Sequence, residues 1–86
     1  MTFTVVWLES AASELAEAWF MAKDRALVTA ASRDIEQRLR AHPESAGESR
    51  QGLRRILIAG PLAVMFEISV EDRLVRVLSV WLIEKT

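Results

Sequence analysis

The stretch from Leu53 to Ile68, LRRILIAGPLAVMFEI, most narrows what this chain can become. Two apolar, strand-like runs meet at Ala59-Gly60-Pro61, where Gly permits unusual φ and Pro removes one ladder donor. Both residues belong in a connection, so the stretch predicts a β-hairpin. In the second run, Leu62, Val64, Phe66, Ile68 and Val70 recur with period two, and Ala63, Met65, Glu67 and Ser69 fall between them. One sheet face is therefore apolar and needs a cover, while the other is mixed and offers a functional surface.

The preceding residues supply the cover. Phe3 to Leu8, FTVVWL, is β-branched and aromatic and predicts a first strand, with apolar residues at consecutive positions suggesting burial on both faces. Ser10 is the expected N-cap of a first helix in which Ala12, Leu15, Ala16 and Trp19 follow at helical spacing up to about Met21, with Glu14 and Glu17 outward. Asp24 is the expected cap of a second helix, where Leu27, Val28, Ala31, Ile35 and Leu39 line one stripe. Asp34 with Arg38 and Glu36 with Arg40 sit one turn apart on its solvent side. Pro43 ends that helix near Ala41, and the polar segment His42 to Gly52 predicts a long loop.

After the hairpin, Ser69 to Arg73 reads as a turn into a last strand from Leu74 to about Leu82. The order is strand, helix, helix, strand, strand, strand: an α+β fold with a two-helix hairpin on one face of an antiparallel sheet. Because a helical hairpin returns the chain to its starting end, the first strand is free to lie beside the last, giving the order first, last, third, second.

The 86 residues fit a single domain, 1–86, and 51% of them are apolar, a rich share for a small domain whose surface is proportionally large. Part of that apolar surface is expected to serve a partner. With 11 basic against 12 acidic residues, no global charge favours nucleic acid, and the absence of cysteine removes disulfide and thiolate chemistry. There is neither a charged and apolar leader pattern nor a run near the roughly 20 apolar residues that a membrane span needs, so a cytoplasmic protein without membrane contact is expected.

Few residues offer chemistry. His42 is the one histidine; it stands before Pro43 at a helix end, where a structural role suffices, and no second ligand type completes a metal or cofactor set. Arg50, Arg54 and Arg55 form the densest basic cluster and are the candidate catalytic residues, although on a strand Arg54 and Arg55 point to opposite faces. Arg73 is read as a turn residue. Trp81, Leu82 and Ile83 end the last strand with large apolar groups and are the candidate partner-binding residues.

Nearly the whole chain resembles the RelE/ParE toxins of bacterial type II toxin-antitoxin, or plasmid stabilisation, systems. The likeness rests on VVWLESAASELAEAW, IEQRLRAHPES, GLRRILIAGPLAVMFEI and DRLVRVLSV, in that order. It implies the same strand-helix-helix-strands arrangement, an antitoxin partner that wraps the toxin, and either ribosome-dependent mRNA cleavage in the RelE-like branch or poisoning of DNA gyrase in the ParE-like branch. Cleavage in the first branch relies on basic groups of the sheet and an acid/base residue near the C-terminus. This chain has Leu62-Ala63 where an arginine commonly follows the Gly-Pro turn, and Trp81-Leu82-Ile83 where histidine or arginine commonly follows the last strand. The resemblance thus favours a toxin-like protein acting through protein contacts, with mRNA cleavage or a non-toxic dimerisation module as the alternatives. Its expected partners are an antitoxin, a second copy of the chain, or gyrase, ahead of the ribosome.

Overall fold

The computed structural model describes residues 2–49 and 53–83. The chain runs β1 (Thr4–Trp7), α1 (Glu9–Met21), α2 (Arg25–Ala41), β2 (Glu48–Ser49), β3 (Arg54–Ala59), β4 (Leu62–Ser69) and β5 (Leu74–Leu82). The strands form one sheet in the order β1-β5-β4-β3-β2. This is the predicted order, with the two-residue β2 added at the β3 edge inside the expected loop. Gly60 and Pro61 alone join β3 to β4, since Ala59 already pairs with Leu62.

The sheet is mixed rather than wholly antiparallel, because β1 runs parallel to β5, with Thr4 opposite Leu74 and Trp7 opposite Val77. The helical hairpin dictates this direction. Phe3 N–H donates to the Arg40 carbonyl at 2.8 Å, which places the end of α2 beside the start of β1. From that end β3 sets out in the direction of β1, β4 reverses it and β5 restores it. First and last strand must then point the same way.

Both helices cover one face of the sheet. Val28, Ala31, Ile35 and Leu39 of α2 are buried with Leu57, Leu62, Val64, Phe66, Val75, Val77 and Val80 in a single core. Sealing a side chain such as Phe66 or Leu39 from water contributes about 1.5–3 kcal/mol. Leu27, expected in this stripe, is instead 55% exposed, because it lies in the first turn ahead of the packed face. Asp24 does cap the helix, accepting the Leu27 N–H at 3.3 Å, and the predicted pairs form, Arg38 with Asp34 at 3.1 Å and Arg40 with Glu36 at 3.7 Å.

α1 departs further from expectation. It starts at Glu9 behind Leu8, without a side-chain cap, so Ser10 is inside the helix rather than at its N-cap. Its buried residues are Ala11 and Ala18, with Leu15 half-buried between them, while Ala12, Ala16 and Trp19 lie on the open side. β1 is likewise covered on one face only, Thr4 and Val6 being exposed.

Three local devices hold the connections. Gly47 has φ +74, and a Cβ there would press on the backbone carbonyl of Ile56, so the chain end of the α2–β2 link needs glycine twice over. Arg73 closes the β4–β5 turn in the left-handed region at φ 51, its guanidinium 5.2 Å from the Phe3 ring centre. In β5 the pairing with β4 slips from Met65–Ser79 to Phe66–Val77, leaving Leu78 as a bulge. The bulge shifts the inward phase from Val75 and Val77 to Val80 and Leu82.

Candidate interaction surfaces

The helix-free face of the sheet is built by alternation. Cross-strand pairing sets Ile58, Ala63 and Trp81 side by side, then Ile56, Met65 and Ser79, then Arg54, Glu67 and Arg76. Ala63 is 1% exposed although no helix lies over it, since its small side chain is roofed by Ile58 and Trp81 on the flanking strands. Those two pay the exposure, Ile58 at 63% and Trp81 at 38%. An apolar half of the face thus abuts a charged row.

The candidate arginines do not converge. Arg54 is on the bare face with its Nε 3.7 Å from Glu67, an exposed pair worth about 0–1 kcal/mol. Arg55 lies on the other face, opposite Phe66 and half-buried. Arg50 lies outside the described residues. His42 is exposed, and its backbone N–H donates to the Arg38 carbonyl at 2.8 Å. Among the described residues no three His, Cys, Asp or Glu side chains gather as metal ligands, and no helix is long and apolar enough to cross a membrane.

The C-terminal trio divides between two faces. Trp81 joins the bare sheet face, Leu82 turns inward opposite Leu62 and packs against the core, and Ile83, 42% exposed, donates its N–H to the Pro61 carbonyl at 2.6 Å. Strand alternation gives this split directly.

A second apolar surface was not anticipated from periodicity. Between α1 and α2 runs an open groove of about 520 Å³, floored by Ala12, Leu15, Ala16 and Val28 and walled by Trp19 and Phe20. Ala12, Ala16 and Ser32 along it are too small to fill the space. The Arg25 guanidinium stands 4.8 Å from the Trp19 ring centre and 5.2 Å from that of Phe20, and donates to the Phe20 carbonyl at 3.2 Å, capping the end of α1. Trp19, Phe20, Met21 and Leu27 stay 40%, 70%, 71% and 55% exposed.

This small α+β domain thus exposes two apolar surfaces, one on the bare sheet face and one between the helices. The fold itself is RelE/ParE-like. It matches a chain of the toxin-antitoxin complex RelBE2 from Mycobacterium tuberculosis with a TM-score of 0.76 at 16% identity, covering 95% of this chain and 92% of that one. It also matches a chain of the chromosomal ParDE toxin-antitoxin system from P. aeruginosa with a TM-score of 0.66 at 17% identity, covering 95% and 97%. No protein-family model and no curated protein sequence matches the chain.

Proposed function

We propose that this protein is the toxin-like component of a bacterial type II toxin-antitoxin system, working in the cytoplasm through protein–protein contacts and held by a cognate antitoxin. The observation that carries the reading is the bare sheet face on a fold shared with chains of two toxin-antitoxin complexes: Trp81 and Ile58 stand over Ala63 with much of their own apolar area in solvent, where a partner's contact would bury it. Contact chemistry suits this surface better than phosphodiester chemistry. Arg54 is drawn to Glu67, Arg55 faces the helix side, and neither Leu62-Ala63 nor Trp81-Leu82-Ile83 supplies the cation or acid/base group that scission of RNA requires.

Induced expression in a bacterial host is expected to arrest growth, and co-expression of the short open reading frame beside the gene is expected to relieve the arrest. Unimpaired growth without any neutralising neighbour would leave only an interaction module and sink the proposal. Codon-specific cuts in a toeprinting assay, lost in Arg54→Ala, would replace protein contact by mRNA cleavage. The surface is read separately. Trp81→Ala should weaken antitoxin binding by a hot-spot amount, on the order of 2 kcal/mol, while Arg38→Ala should leave it nearly unchanged. Equal titration curves for the two variants would remove Trp81 from the interface.

A further inference from the structure

α1 and α2 lean on the sheet more than on each other, and the space between them is a furrow of uneven width. Near the link between the helices it is wide, about 520 Å³, with Trp19 and Phe20 on one side and Val28 and Thr29 on the other. It continues past Ala12, Leu15 and Ser32, which line both parts, into a narrower cleft of about 210 Å³ bounded by Trp7, Arg33 and Glu36.

The ridge of α1 beside the furrow has the shape to fill one. Glu9, Ser13, Ala16 and Phe20 follow one another at intervals of three and four residues, and all four are exposed. Two small residues are thus followed by one large ring, and the ring stands at the furrow's wide end. Ridges of this spacing pack into grooves between helices, and small residues let the backbones approach. Charge runs in the same direction. Glu9 ends the ridge at the narrow end, where the lip of α2 carries the exposed Arg33 and Arg40.

We propose that this face joins two copies of the chain, each α1 lying in the other's furrow about a two-fold axis parallel to the helices. Wide ends then coincide. Phe20 of each copy enters between Trp19 and Val28 of the other, the two Ala16 residues lie near the axis, and each Glu9 comes against the other copy's Arg33 and Arg40. An axis across the helices would instead drive Phe20 into the narrow cleft beside Arg33 and Glu36. A two-fold contact requires one surface to carry both ridge and furrow, as this one does. A partner of different sequence would need the furrow but not Phe20, left 70% exposed beside it. Helices of 13 and 17 residues bury about 600 Å² per copy in such a contact, the low end of specific interfaces, so the pair is reversible, with a Kd of about 10 µM. At about 1 µM the folded monomer prevails. The bare sheet face lies on the opposite side of the sheet and stays outward in both copies, so the pairing does not depend on the antitoxin contact proposed above.

The test is sedimentation velocity on the full chain from about 1 to about 300 µM, with amide spectra recorded over the same range. The mass is expected to rise from one copy to two, with shifts at Ala16 and Thr29 and none at Ala63. Phe20→Ser removes little area buried within one chain, yet should raise the Kd at least about tenfold. Glu9→Arg alone, and the double variant Arg33→Glu, Arg40→Glu alone, should each associate about tenfold more weakly than the parent. An equimolar mixture of these two should recover the parent's association, which only a contact between chains can produce. A chain still monomeric at the highest concentration, a Phe20→Ser protein that pairs like the parent, or a mixture no stronger than its parts overturns the proposal. Shifts at Ala63 in place of Ala16 give the contact to the bare sheet face and overturn it as well. So does a monomeric chain whose Ala16 and Thr29 respond only to the product of the neighbouring gene, since the furrow then belongs to that partner.

Discussion

The two helices lie over the same sheet face, yet they carry opposite kinds of surface. α2 presents a single stripe, Val28, Ala31, Ile35 and Leu39, each at most 6% exposed, and turns charged residues to water. α1 buries only two alanines and leaves Trp19, Phe20 and Met21 in solvent at its end. The contrast separates two tasks that hydrophobic residues perform. α2 holds the domain together, whereas α1, rich in alanine on every side, sits close to β5 while offering its large side chains outward.

The largest effect that bears on this division is in α2. Leu39→Ala empties a fully buried site and should cost about 2–5 kcal/mol in urea unfolding, with an unchanged m-value. A loss below 1 kcal/mol would mean that α2 is not the anchor. Next comes the link that follows α2. Gly47→Ala forces a side chain onto the Ile56 carbonyl at positive φ and should cost about 1–3 kcal/mol, read from the same transition. If the variant matches the parent, the loop moves freely and the end of α2 is not pinned to β3.

Legibility in the sequence follows the same division. The α2 stripe can be read because charged and polar residues occupy the remaining positions, so a single helical phase fits. In α1 two phases fit: Ala12, Leu15, Ala16 and Trp19, or Ala11, Leu15, Ala18 and Ala22. Alanine satisfies both, and only packing against β5 selects the second. Strand order, the Gly60-Pro61 turn and the bounds of β5 were legible because alternation and turn chemistry are local signals. The parallel pairing of β1 was implicit in the returning helical hairpin but needs the whole path of the chain. The place of Trp81 on the bare sheet face was legible by alternation. The bond that Val80 N–H donates to Glu14 Oε1 at 3.2 Å, tying α1 to β5, was not, since it joins residues 66 apart with no pattern between them.

The helix starts give the next smaller effect. Asp24 accepts the Leu27 N–H and caps α2, while α1 begins behind Leu8 with no side-chain cap. Asp24→Ala should therefore cost about 1 kcal/mol, and Ser10→Ala should fall within about 0.5 kcal/mol of the parent. Thermal unfolding of the two variants side by side checks this. Equal losses would show that Ser10 caps α1 in solution, and the two helices would then be held alike at their starts.

The smallest expected change in stability is the sharpest test of α1. Phe20 is 70% exposed in the folded chain, so Phe20→Ser removes little buried area and should shift the unfolding free energy by no more than about 0.5 kcal/mol. The Arg25 guanidinium loses a ring 5.2 Å away but keeps Trp19 at 4.8 Å and its bond to the residue-20 backbone carbonyl at 3.2 Å. A solvent-exposed cation–π contact contributes about 0.5–1 kcal/mol at most, and the remaining ring retains part of it. Serine at this position also lowers the cost of leaving the helix end in water, which offsets some of the loss. Urea midpoints for Phe20→Ser and the parent should thus nearly coincide. A loss above 1 kcal/mol would place Phe20 in the core of the solution structure, close the groove between the helices, and make α1 a second anchor.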